Sequence, residues 1–74
     1  MQRYANLSGN SGVVAYQTGA DSITVEFVNG QKYLYNYQSA GPANVETMKR
    51  LAAQGQGLSG FISSTVGNGY AKRW

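Results

Sequence analysis

The sequence predicts an α+β domain, a three-stranded antiparallel β-meander with two C-terminal helices packed on one of its faces. Three observations carry that prediction: apolar and polar residues alternate from Ser22 to Val28, Asn29-Gly30 follows directly, and apolar residues recur at helical spacing from Val45 onward. The chain, residues 1–74, reads as a single domain with no internal repeat or linker.

The first strand is the apolar segment Gly12–Gln17, bounded by Gly-rich turns. The second is Ser22–Val28, in which Ile23, Val25 and Phe27 alternate with Thr24 and Glu26, the pattern of a half-buried strand. Asn29-Gly30 is a strong hairpin signal, and Gln31–Tyr37 returns as the third strand.

How that hairpin closes decides where Tyr33, Tyr35 and Tyr37 point. A two-residue type I′ loop at Asn29-Gly30 would set Val28 opposite Gln31 and leave the tyrosines on the face away from Phe27. A type I turn at Val28-Asn29, with Gly30 left-handed as a G1 bulge, would instead pair Phe27 with Gln31, Val25 with Tyr33 and Ile23 with Tyr35. The second register gathers the large rings on one face and leaves Thr24, Glu26, Lys32, Leu34 and Asn36 on the other. It is the register predicted here, with Tyr33 and Tyr35 in the core and Tyr37, at the strand end, accessible.

The second half is helical. Gly41-Pro42 opens the first helix, with Pro42 at the position where its missing N–H costs nothing. Val45, Met48, Leu51 and Ala52 form its apolar face, Glu46 precedes Lys49 and Arg50 in favourable order, and Gly55 ends it. Leu58, Phe61, Ile62, Thr65 and Val66 repeat the helical spacing, so a shorter second helix runs to about Gly67. The tail NGYAKRW has no period of its own.

Composition narrows the chemistry. There is no Cys and no His, so disulfides, thiolate zinc sites and the commonest metal ligand are absent. A chain of this size buries only roughly 60% of the surface its unfolded form exposes, which raises the expectation of a homo-oligomer. The N-terminus lacks the apolar run of a signal peptide, and the longest apolar run, Val13–Tyr16, is too short for a bilayer, so a cytoplasmic protein with no membrane partner is expected. Net charge is +3, from Arg3, Lys32, Lys49, Arg50, Lys72 and Arg73 against Asp21, Glu26 and Glu46. Six scattered cations suit one or two phosphates better than a long phosphate backbone.

The order of SGVVAY, ITVEFVNGQKYLY, a helix and GLSGFISSTV resembles the KTSC domain family, a short domain found at the C-terminus of some lysyl-tRNA synthetases and as free-standing small proteins. The resemblance covers about residues 10–70. Tyr33-Leu34-Tyr35 matches the family's central Tyr-x-Tyr, and Phe27-Val28-Asn29-Gly30 matches its Phe-x-Asn-Gly. Where family members often carry an aromatic pair and Asn in the last helix, with basic residues nearby, this chain has Phe61-Ile62-Ser63 and then Ser64 and Thr65. The resemblance implies a β-meander with helices and an RNA-binding role.

Gly55-Gln56-Gly57-Leu58-Ser59-Gly60 spells G-x-G-x-x-G ahead of a helix. A helix precedes it and no acidic residue follows, so it is not a Rossmann fingerprint, and it lacks the Lys-Ser/Thr of a P-loop. It reads as an inter-helix turn that can still receive an anion. Ser59 has no His to activate it, and the three carboxylates have no pairing spacing, so no catalytic site, metal site or cofactor is expected. In the tail, Lys72 and Arg73 lie between Tyr70 and Trp74, an arrangement able to meet phosphate and stack on a base.

The function expected from the residues is a non-catalytic binding domain for a small phosphate-bearing ligand such as a nucleotide, with sequestration of a signalling nucleotide as one role. Gly57, Ser59, Gly60 and Ser63 would supply hydrogen bonds, Lys72 or Arg73 charge, and Tyr37 or Trp74 a stacking face. The alternatives are an RNA-binding module and a protein-interaction module using the meander edge.

Overall fold

The hairpin that organises the fold closes through a left-handed glycine. In the computed structural model, which describes residues 1–74, the Phe27 N–H donates to the Gln31 carbonyl at 2.9 Å and the Gly30 N–H to the Phe27 carbonyl at 2.9 Å, with Gly30 at φ +89°. The Asn29 side chain accepts the Gln31 N–H at 3.0 Å and steadies the bend. Strands β3 (Ser22–Phe27) and β4 (Lys32–Asn36) therefore pair Val25 with Tyr33 and Ile23 with Tyr35, the G1-bulge register.

The strand preceding this hairpin, β2 (Val13–Thr18), carries a bulge between Val13 and Ala15. Strict alternation would place Val13 and Tyr16 on opposite faces; the extra residue turns both into the core and leaves Val14 exposed. That device accounts for the uninterrupted apolar run Val13–Tyr16.

The sheet has five strands, in the order β1-β2-β3-β4-β5, and this corrects the predicted three-stranded meander. Strand β1 (Gln2–Arg3) pairs with β2, and β5 (Lys72–Arg73) pairs antiparallel with β4. Each is two residues long, too short for a hydrophobic alternation to be read. Both are fastened by bonds beyond their own length: the Tyr4 N–H donates to the Val14 carbonyl at 3.0 Å, the Lys32 N–H to the Trp74 carbonyl at 2.7 Å, and the Trp74 N–H to the Lys32 carbonyl at 2.9 Å.

A second correction concerns the end of the third strand. It stops at Asn36, and Tyr37 opens a four-residue helix, α1 (Tyr37–Ala40). Asn36 caps that helix: its side chain accepts the Ser39 N–H at 2.7 Å while its own N–H donates to Ser39 Oγ at 3.0 Å. Gly41, at φ +94°, then swings the chain into α2 (Pro42–Gln54).

Helix α2 buries Val45, Met48 and Ala52 against the sheet and ends at Gly55, which is left-handed at φ +80°. After the turn, α3 (Leu58–Phe61) passes directly into a π-helical segment, Ile62–Val66, closed by the Gly67 N–H on the Ile62 carbonyl at 2.7 Å. Leu58, Ile62 and Val66 are buried, whereas Thr65, expected on the same apolar face, is exposed.

The core lies between one sheet face and the helices. Tyr4, Val13, Tyr16, Ile23, Val25 and Tyr35 face Val45, Met48, Ala52, Leu58, Ile62 and Val66. The other sheet face has no covering element, and no helix is long and apolar enough to cross a membrane.

Candidate ligand-binding cleft

An open cleft of about 530 Å³ lies between the β3–β4 hairpin and the helical segment 58–66 with the turn that follows it. That volume is within the roughly 300–1,000 Å³ of small-molecule sites.

Aromatic rings line its base. Tyr33 meets Phe27 edge-on at 5.4 Å between centroids and Tyr70 at 4.9 Å, and Tyr70 reaches Tyr35 at 6.3 Å. Such pairs are worth about 0.5–1.5 kcal/mol each beyond burial, so the rings hold one another in place. Tyr35 is fully buried, while Tyr33 is half-buried and keeps a surface on the cleft. The G1 register therefore sends both tyrosines inward, and the helical cover closes over only one of them.

Polar groups stand around the rings. The Tyr33 hydroxyl donates to Gln31 Oε1 at 2.9 Å. From the helical side come Ser59 and Ser63, one α-helical turn apart in sequence, with Asn68 beyond the helix end. The helix's own side-chain hydrogen bonds run elsewhere, from Ser64 Oγ to the Gly60 carbonyl at 2.8 Å and between Ser64 and Thr65 at 3.4 Å. Burial, then the neighbouring Tyr33 and Tyr70, pushes the Tyr35 phenol up to about 12, so it stays neutral at physiological pH.

One cation reaches the cleft. Arg73 sits opposite Tyr33 in the β4–β5 register, and cross-strand partners share a face. No carboxylate lines the cleft, and the two ion pairs of the molecule, Lys32–Glu26 and Lys49–Glu46, both omit Arg73.

Of the sequence-predicted site residues, Ser59, Ser63 and Arg73 come together here, and five do not. Lys72, one residue from Arg73, pairs with Leu34 and points to the uncovered face, as does Trp74, opposite Lys32; the Lys72 ammonium lies 5.0 Å from the Trp74 ring centroid. Tyr37 is carried off by α1, where its hydroxyl donates to Glu46 Oε2 at 2.6 Å. That hydrogen bond raises the Tyr37 pKa and, with Lys49, lowers that of Glu46.

Gly57 and Gly60 form no anion cradle on this cleft. Gly57, at φ +85°, abuts the Leu51 side chain, and Gly60 faces open space. The Leu58 N–H donates to the buried Tyr4 hydroxyl at 3.3 Å, so the N-terminal segment occupies the first donor of that turn. Tyr33, Gln31, Asn29 and Asn68 line the cleft without having been singled out from sequence for a ligand role, and Tyr70, read from the tail as a stacking aromatic, lines it with them. Tyr70, just before the bend at Ala71, packs edge-on against Tyr33. Asp21, Glu26 and Glu46 do not cluster, and no group of three potential metal ligands forms.

No protein-family model, curated protein or solved structure matches the chain.

Proposed function

We propose that this chain is a non-catalytic binding domain that holds a small phosphate-bearing ligand with a planar ring, such as a nucleotide, in the cleft beside Tyr33. The observation that carries the reading is the placement of an unpaired guanidinium, Arg73, next to exposed phenol ring surface in a cleft without a carboxylate. The ring of the ligand stacks on Tyr33, with Tyr70 standing at 71° to that ring, Arg73 grips the phosphate with its planar fork, and Ser59 and Ser63 donate from the helical side. The amides of Asn29, Gln31 and Asn68 offer both donors and acceptors to base edges. Sequestering a signalling nucleotide is a role such a domain performs without any reacting group. Kinship with the KTSC family belongs to the same proposal and is supported by the hairpin residues Phe27, Asn29, Gly30, Tyr33 and Tyr35. So does self-association, supported by a core of only 12 buried residues.

Calorimetry against nucleosides and mono-, di-, tri- and cyclic nucleotides tests it. A phosphorylated member binds, and Arg73→Gln weakens it by about tenfold, the effect of losing one charge-assisted contact. Silence across the panel at about 1 mM, an affinity of only about 4 kcal/mol, would sink the proposal.

A second reading has its own observation. The uncovered sheet face carries Arg3, Lys32 and Lys72 with exposed Trp74, against the single carboxylate Glu26. Cations around an aromatic on an open sheet suit single-stranded RNA. Fluorescence anisotropy with a short RNA would show affinity falling steeply with salt and lost on Trp74→Ala.

A further inference from the structure

We infer that the phosphate taken by the cleft is a singly charged diester, as in a cyclic nucleotide, rather than a terminal mono- or triphosphate, an inference that rests on the binding reading above. The charge complement of the cleft is its basis. Arg73 is the only one of the six cations that lines it.

The others are committed elsewhere by the fold. Arg3, Lys32 and Lys72 belong to the opposite face of the sheet, where the β-register rows Arg3-Ala15-Glu26-Lys32 and Gln17-Thr24-Leu34-Lys72 place them. Lys49 is bound to Glu46 at 3.1 Å and donates to the Ala20 carbonyl at 3.0 Å. Arg50 stands exposed on α2, which contributes no residue to the cleft.

A phosphodiester carries one negative charge and two non-bridging oxygens, which one guanidinium fork meets with two parallel N–H···O bonds. A phosphomonoester carries about −1.5 to −2 at neutral pH, and longer phosphate chains carry more. Their surplus charge would face neutral phenols, amides and hydroxyls beside an aromatic floor, where removal from water is not repaid by a second cation. The neutral donors Ser59 and Ser63 hydrogen-bond a diester well but cannot balance an extra charge.

Competition calorimetry at neutral pH and low salt, without divalent metal, compares four forms of the same base: nucleoside, cyclic monophosphate, linear monophosphate and triphosphate. The cyclic form binds tightest, by about tenfold over both the nucleoside and the triphosphate. In Arg73→Gln the cyclic form falls to the affinity of the nucleoside, while Ser63→Ala weakens every phosphorylated form without changing their order. Circular dichroism checks that each variant is folded; in Arg73→Lys, which keeps the charge without the fork, the advantage of the cyclic form over the nucleoside shrinks, and an undiminished advantage overturns the inference. A linear mono- or triphosphate that binds as tightly as the cyclic form overturns this inference and leaves the binding reading standing. Absence of binding by all four, for adenine and guanine alike, overturns both.

Discussion

The two faces of the sheet differ in what covers them, and the two-residue strand β5 shows the consequence. On the covered face Tyr35 is 1% exposed and packed among helices, and at its margin Arg73 joins the aromatic cleft. On the bare face, directly across the same strands, Leu34, Lys72 and Trp74 meet solvent. A basic, aromatic tail that is continuous in sequence is thus divided between two surfaces by strand alternation alone, and residues one position apart have unrelated surroundings.

Core substitution tests the contrast most severely. Tyr35→Ala on the covered face costs about 3–5 kcal/mol, whereas Leu34→Ala, its neighbour on the bare face, costs under about 1 kcal/mol; urea denaturation of both variants measures the gap. Comparable losses would mean that the bare face is covered in solution by another copy of the chain.

Next in size is Gly55→Ala, at the point where the N-terminal segment crosses the helical layer. A Cβ there would stand 2.6 Å from the Ala5 Cβ, at φ +80°, and the Leu7 N–H bonds the Gly55 carbonyl at 2.7 Å. The variant loses roughly 1–3 kcal/mol, and hydrogen exchange shows the N-terminal strand released first.

The tail sharpens the comparison at the level of binding. Arg73→Gln weakens nucleotide binding by about tenfold with little change in thermal midpoint, while Lys72→Gln leaves nucleotide affinity within about twofold. If Lys72→Gln is the more damaging of the two, the phosphate lies on the bare face.

Titration gives the smaller effects. In ultraviolet absorbance Tyr35 ionises at about 12, above the ordinary tyrosine value of about 10. Because its pKa is raised in the folded chain, its contribution to stability is fully present below the unfolded value of about 10 and is lost as pH climbs toward the folded one. Glu46 has the opposite sign: the Tyr37 hydrogen bond and Lys49 lower its pKa, so its contribution is present above the unfolded value and is lost as pH falls through the folded one. Glu46→Gln accordingly flattens the acid limb of the stability curve slightly, as measured by thermal melts below pH ~5.

The parts of the fold legible in the residues were those with local causes. Asn29-Gly30 and the burial difference between two registers specified the hairpin, and Pro42, Gly55 and the spacing of Val45, Met48 and Ala52 marked α2. The cap at Asn36–Ser39 was also local, but a predicted strand running to Tyr37 concealed it. Strands β1 and β5 had no legible signal, since two residues carry no period and their hydrogen bonds are to partners far along the chain. The cleft was half legible: Ser59, Ser63 and Arg73 were identifiable as donors and Tyr70 as a stacking ring, but their meeting depends on which face each strand residue takes and on how the helical segment packs beside the hairpin.

By itself the sequence determined an α+β domain with a left-handed glycine in its central hairpin and tyrosines turned inward, because turn chemistry and side-chain alternation act between near neighbours. Only the tertiary structure decided that the tail becomes an edge strand, that Arg73 parts from Lys72 and Trp74, and that Tyr33 stays open while Tyr35 is sealed. The reason is reach. These outcomes depend on contacts between residues dozens of positions apart, whose positions follow from how helices, both termini and sheet share one small core.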